Sequence, residues 1–434
     1  MIDEKYKEIE TYIFEKLPMF SRIGADAFKK DLTNIKRLCD FLRNPQEQFR
    51  TIHIGGTNGK GSTTHYLASI LIEYGLKVGI YSSPHLIDYR ERIKIGNQWI
   101  PKEFVIEFIE KTKPIIEEIQ PSYFEISVAM AFDYFAYEKV DIACIEVGLG
   151  GRLDSTNIIN PILSIITNIS HDHNQMLGDT LEEIAFEKAG IIKKSTPVII
   201  GEYQSESISE VFENKSKEYI SSIQFASENV QYKEEDYKHV FHLKENTISL
   251  PKNIFEANYT LKNITTVLCA IEVLIFNKLL LPHLDNDKIE KGFIDYYKNT
   301  GFAGRWMRIE KYPNVILESA HNEAGIENLK FSLSKTNYKN LYIIYGTVKD
   351  KDVQKIVSIL PKNVTHYILT QTNIPRAMPV EELNALFTQY GITNSTIIKN
   401  SSKAFSKALE IAEKDDLILV TGSIFLVGEI LNQL

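Results

Sequence analysis

Cysteine is scarce in this sequence. Three occur in 434 residues, Cys39, Cys144 and Cys269. They lie far apart, with no Cys-x-x-Cys pair and no zinc-type cysteine and histidine spacing, which argues against a disulfide framework and a thiolate metal centre. A reducing cytoplasm fits that usage. An excess of positive charge is also missing. Forty-nine Lys and Arg face 57 Asp and Glu, for a net charge of −8, so no broad nucleic-acid face is expected and any polyanion site must be a local pocket. Long apolar runs are absent. Val267–Phe276 is interrupted by Glu272, so no stretch is expected to reach the ~18 residues of a spanning helix. The N-terminal MIDEKYKEIE lacks the apolar stretch of a signal peptide, and no repeats or low-complexity tracts stand out. These absences lead us to expect a soluble cytoplasmic monomer without membrane or nucleic-acid partners.

What is present is ordinary globular composition, 44% hydrophobic and 24% charged, in a chain too long for one core. Residues 3–16 and 26–43 have the pattern of amphipathic helices. From Thr51 onward, short apolar runs alternate with helical periodicity. Strands are expected at 51–55, 77–82, 141–147, 161–169 and 197–201, with helices at 60–74, 102–119, 123–138 and 258–277. The alternation restarts near 305, with strands at 315–318, 341–346, 365–370 and 417–421. Helices are expected there near 323–335, 352–359, 380–389, 402–413 and 423–432. The expected fold is α/β. A doubly wound, mostly parallel sheet of P-loop type occupies residues 1–299, behind a helical N-terminus. A smaller Rossmann-like α/β domain occupies 300–434. Lys298–Gly304, with two glycines, is the expected hinge.

The strongest local signal is Gly55-Gly56-Thr57-Asn58-Gly59-Lys60-Gly61-Ser62. It follows a strand and opens a helix, where backbone N–H groups and the helix N-terminus favour phosphate. Lys60 is placed to reach the β- and γ-phosphates of ATP, and Ser62 or Thr63 to face its metal. Without that context the segment is only a Gly-rich turn with a solvent lysine. It departs from the common Walker pattern, because Ile54 stands where a glycine is usual and Gly61 separates Lys60 from the hydroxyl.

GTNGKGS resembles the phosphate loop of the Mur ligase superfamily, and within it the chain is similar to folylpolyglutamate synthase/dihydrofolate synthase. The resemblance runs through LPMFSRIG near the N-terminus, YSSPHL at 81–86, ERIKI at 91–95, IEVGLGGRLDSTN at 145–157, SHDHNQMLGDT at 170–180 and EKAGIIK at 187–193. It continues through GRW at 304–306, SAHNEAG at 319–325, GTVKDKDV at 346–353 and VTGSIFLVGE at 420–429. It implies ligation of L-glutamate to dihydropteroate, or to the glutamate tail of a folate, through an acyl phosphate.

The resemblance also implies roles. Gly56, Thr57, Asn58, Gly59, Lys60, Gly61 and Ser62 bind ATP, with Asn263 near the adenine and Arg305 on the phosphates. Ser83, Glu146 and His173 ligate Mg²⁺, of which two ions are expected, and a carbamylated Lys188 helps hold the second. Lys60, Lys188, Arg305 and His321 act in catalysis. Asp154 lies near the pterin, and Ser423 is a glutamate-binding hydroxyl. Several neighbours depart from the family pattern: Ala257, Thr260, Ala303, Glu318, Ser319 and Glu323. Asp350 and Asp352 resemble an Asp-Lys-Asp element. Other readings remain at this point. Asp154 suits a capped loop as well, Glu146 a solvated strand end, and Arg305 a surface ion pair. A cell-wall precursor ligase would share the loop but is expected to need a further N-terminal domain of ~80–100 residues. An ATPase without a small-molecule product is the alternative from another class.

Overall fold

The computed structural model describes residues 2–17, 31–244, 246–254, 257–309, 313–349 and 351–434. Most of LPMFSRIG, the start of the expected helix 26–43, and Asp350 lie outside these residues. The chain forms two compact units. One comprises residues 1–85, 89–255 and 260–302, and the other comprises 86–88, 256–259 and 303–434.

In the first unit the apolar runs become strands: β1 Arg50–Gly55, β2 Val78–Tyr81, β3 Ile93–Ile95, β4 Gln98–Trp99, β5 Ile142–Glu146, β6 Leu163–Ile166, β7 Val198–Ile200 and β8 Ile223–Phe225. They form one sheet in the order β4-β3-β2-β5-β1-β6-β7-β8. It is parallel from β2 to β8, with an antiparallel edge at β3 and β4. Every residue of β5 is buried, and its side chains alternate between two cores. Ala143 and Ile145 join the core under the helices Lys102–Ile119 and Tyr123–Tyr137. Ile142 and Cys144 join the core under Lys60–Glu73 and Asn258–Phe276. A continuous apolar run is what a strand covered on both faces requires.

The helix Asn258–Phe276 corrects one expectation. Its window Tyr259–Phe276 has a mean hydropathy of 1.5 and is long and apolar enough to cross a membrane by composition alone, yet 72% of that window is buried inside the protein. Glu272, which interrupts the run, accepts the backbone N–H of Lys244. A small antiparallel sheet, β9 Gln231–Glu234, β10 Lys238–His242 and β11 Thr247–Pro251, packs on the same core.

The second unit holds β12 Met307–Ile309, β13 Asn314–Glu318, β14 Leu341–Tyr345, β15 His366–Gln371, β16 Ser395–Asn400 and β17 Leu417–Thr421. Their order is β12-β13-β17-β14-β15-β16, and all pairs are parallel except β12 with β13. Two cores cover its faces.

Candidate active site

In an open parallel sheet, ligands bind beyond the carboxyl ends of the strands. At that edge of the first unit stand the residues after β2, β5, β1 and β6. β1 ends at Gly55 and turns into a loop that requires glycine twice. Gly56 has φ +134°, and a Cβ there would fall 1.9 Å from Thr167 Oγ1; Gly59 has φ +83°, and its Cβ would fall 2.4 Å from Asn263 Oδ1. Gly59 then opens the helix Lys60–Glu73. The loop hangs on the residues after β6. The Thr57 N–H donates to the Asn168 carbonyl at 2.9 Å, and the Asn58 N–H donates to Asn168 Oδ1 at 3.0 Å. The Thr167 hydroxyl donates to the Asn58 carbonyl at 2.6 Å, while Thr57 Oγ1 bonds both the carbonyl and the N–H of Ser170. Thr167 and Asn168 were missed in the sequence. Their signal is position: they end the strand beside β1, where a phosphate loop needs support.

Two cations converge on this loop. Lys60 Nζ donates to the carbonyls of Gly56 and Thr57, each at 3.0 Å. Lys188 Nζ, from the helix Leu181–Ala189, donates to the same Gly56 carbonyl at 2.9 Å. Lys188 is only 4% exposed. Burial pushes its amine down to about 7, the neighbouring Lys60 adds to the shift, and Asp172 and Asp154 oppose it. Ser62 and Thr63 are buried in the first turn, and the Thr63 hydroxyl has no partner.

The acidic strand end is also here. Glu146 pairs in register with Ile54 of β1 and is 4% exposed, not solvated. Its Oε2 accepts the Ser83 N–H at 3.2 Å, and its Oε1 would lie 3.7 Å from a Cβ on Gly61. A carboxylate and a serine beside a phosphate loop are hard oxygen donors, the set that fits Mg²⁺ completed by phosphate oxygens and water. His173 follows with φ +54° at the start of Asn174–Leu177, its Nε2 3.8 Å from Asp172 Oδ1. Among the described residues no three His, Cys, Asp or Glu gather as a self-sufficient metal cage, so a metal here would depend on ligands from the nucleotide.

Asn263, near the start of Asn258–Phe276, packs its side-chain oxygen against Gly59, and its buried Nδ2 has no partner. A donor left unpaired at a buried site calls for a ligand or water. Asp154 is held within its own loop. Its carboxylate accepts the N–H of Leu149 at 2.8 Å, and the N–H and hydroxyl of Thr156. It caps the turn Ser155–Ile158 and is raised by burial, against those hydrogen bonds.

Arg305, His321 and Ser423 belong to the second unit. Arg305 Nη1 lies 3.9 Å from Oε1 of Glu318. Glu318 is buried and accepts the Tyr259 hydroxyl at 2.7 Å and the Trp306 N–H at 2.9 Å. Burial raises its carboxyl, and Arg305 pulls it back. The Ser319 hydroxyl donates to the Gly304 carbonyl at 2.9 Å, which fixes the strand end beside Arg305. His321 Nδ1 lies 2.9 Å from the Ser319 carbonyl, a contact that requires a proton on Nδ1. Ser423 caps Ile424–Leu431 by accepting the Phe425 N–H at 3.1 Å.

Residues 54–271 match the Mur ligase middle domain, and residues 304–424 match the Mur ligase glutamate ligase domain. The dihydrofolate synthase/folylpolyglutamate synthase of Bacillus subtilis (strain 168) is 31% identical over 421 residues, covering 94% of this chain and 95% of that protein. The chain belongs to the folylpolyglutamate synthase/dihydrofolate synthase family of Mur ligases. Solved structures agree with this synthase over its whole length. E. coli FolC in complex with DHPP and ADP has a TM-score of 0.86 at 26% identity, over 99% of this chain and 97% of that one. Mycobacterium tuberculosis folylpolyglutamate synthase complexed with ADP has a TM-score of 0.86 at 27% identity, over 100% and 99%.

Proposed function

We propose that this synthase adds L-glutamate to dihydropteroate and to the glutamate tail of a folate, driven by ATP, in the cytoplasm and as a monomer. The observation that carries the site assignment is the convergence of Lys60 and Lys188 on the Gly56 carbonyl, at 3.0 and 2.9 Å, beside buried Glu146. The charge of Lys60 and the backbone N–H groups concentrated at a helix start suit a triphosphate.

A carboxylate is inert to amines and must first be activated. A substrate carboxylate oxygen attacks the γ-phosphorus of ATP, the bond to the bridging oxygen breaks, and ADP leaves with that electron pair. The acyl phosphate then meets the α-amine of glutamate. The new C–N bond gives a tetrahedral centre, which expels phosphate and loses a proton to become the amide. Lys60 follows the charge on the transferring phosphoryl group, and Arg305 supplies a second cation to it. Asn263 Nδ2 donates to the adenine, and the backbone N–H groups of residues 57–62 hold the phosphates. Mg²⁺, when bound, supplies charge neutralisation on the phosphate oxygens. Ser83, Glu146 and His173 are the residues that would hold it, with Lys188 as a carbamate for a second ion; a lysine near neutral pKa suits that conversion, because only the free amine adds to CO₂. His321 contacts the incoming glutamate, and the Ser423 hydroxyl binds its carboxylate. Asp154 shapes the loop 148–157 against which the pterin lies.

The acyl phosphate is tested with substrate carboxylate labelled with ¹⁸O. One labelled oxygen must appear in the released phosphate, and phosphate release must require both the pteroate and glutamate. Unlabelled phosphate, or hydrolysis independent of either substrate, contradicts the mechanism.

A further inference from the structure

Gly61 borders a buried cluster that the mechanism above does not use. His65 lies one helical turn beyond it, with Nδ1 2.8 Å from the Gly61 carbonyl oxygen and Nε2 3.2 Å from Lys94 Nζ. Lys94 comes from β3 and also donates to the Thr300 carbonyl. An ammonium can only donate, so Nε2 accepts from it, and the ring proton sits on Nδ1, where it donates to Gly61. Burial holds the imidazole well below its usual pKa, in keeping with a neutral ring. The His65 ring stacks on Phe302, with centroids 4.3 Å apart and planes at 21°. The Phe302 ring also closes over Gly61, where a Cβ would stand 3.3 Å away. Phe302 is the last residue of the first unit before the chain enters the second.

His65, Lys94 and Thr300 are each 3% exposed or less, and Gly61 and Phe302 are half-buried. A lysine with these partners is no solvated strand residue. One of its hydrogen bonds goes to the ring that grips the phosphate loop, and another goes to the segment leading out of the unit. We propose that His65 and Lys94 are positioning residues, linking nucleotide occupancy of the loop to residues 299–302. Phosphate drawn onto the N–H groups of residues 59–62 shifts the Gly61 peptide. The His65 Nδ1–H follows its carbonyl, the ring carries Phe302 with it, and Lys94 transmits the shift to Thr300. Packed side chains with discrete hydrogen bonds are the means by which such coupling travels.

This inference rests on residues 55–62 binding the nucleotide, and hydrogen exchange separates the two claims. In the wild-type chain, ADP should slow amide exchange in peptides covering 55–64, and also at least ~5-fold in peptides covering 298–303, the low end of ordinary coupling. Lys94→Met keeps the stem and removes both bonds. It should retain protection of 55–64 and lose that of 298–303, and Lys94→Arg should restore it. Phe302→Leu, which removes the stacked ring but leaves Lys94 in place, should weaken the same response and decides the matter if Lys94→Met does not fold. Undiminished protection of 298–303 in the variants overturns the coupling, as does a wild-type linker indifferent to ADP. If ADP fails to protect 55–64 in the wild type, the nucleotide assignment itself falls.

Discussion

If Lys188 is carbamylated as proposed, its amine ties this enzyme to pH and dissolved CO₂. With its pKa pushed down to about 7 by burial, the side chain is about half neutral at pH 7 and about nine-tenths neutral at pH 8, whereas an ordinary lysine is less than about 1% neutral at either. Only the neutral amine adds to CO₂, so bicarbonate at pH 8 should place a carbamate on Lys188 that disappears toward pH 6. With ¹³C-bicarbonate, the folded wild type should show a carbamate carbon that Lys188→Met lacks. Stability follows the same shift. The folded pKa lies below the unfolded one, so the unfolded chain holds more protons between about 7 and 10.5, and stability rises with pH through that window by about 1.4 kcal/mol per unit at most. In CO₂-free buffer the wild type should gain about 1 kcal/mol between pH 7.5 and 8.5 over Lys188→Met, by urea unfolding. A flat difference together with no carbamate carbon would refute the reasoning.

Gly59→Ala forces φ +83° on an alanine and drives its Cβ to 2.4 Å from Asn263 Oδ1; beyond the ~1–2 kcal/mol of left-handed strain, ADP affinity by calorimetry should fall at least ~10-fold. Arg305→Ala should lower kcat ~10²-fold with little change in the KM for ATP, as loss of a contact made in the transition state does. Glu318→Gln leaves its buried partners, the Tyr259 hydroxyl and the Trp306 N–H, with a weaker acceptor and should cost ~1–3 kcal/mol in thermal unfolding; an unchanged Tm would show that the carboxylate is not holding the Arg305 loop.

The sequence revealed the parts that pattern controls. β5 and β17 are fully covered strands, β1 is covered from Thr51 onward, and all three read as apolar runs; the loop after β1 carries its glycines where positive φ and close approach demand them. Edges were illegible. β9 exposes all four residues of Gln-Tyr-Lys-Glu, and β16 buries none of Ser395–Asn400, so neither has an apolar face to announce it. β3 and β4 are brief and share their stretch with Arg92 and Lys94. Supports for the site were illegible for a different reason. Asn168 meets Asn58 across 110 positions of sequence, and Lys94 meets Thr300 across 206; only the fold joins them. Asp154 suits a capped loop by its residue type, and its oxygens do cap the turn that follows it.

The central claim is that ATP held on residues 56–62 is spent to form an amide to glutamate. Purified protein should be given ATP, Mg²⁺, L-glutamate and either dihydropteroate or tetrahydrofolate, with Lys60→Ala in parallel, and the products read by mass. The account predicts one added glutamyl unit with the wild type and none with a folded Lys60→Ala. A wild type that hydrolyses ATP but adds no glutamyl unit to either acceptor, or a Lys60→Ala chain with near-normal ligation, would contradict it.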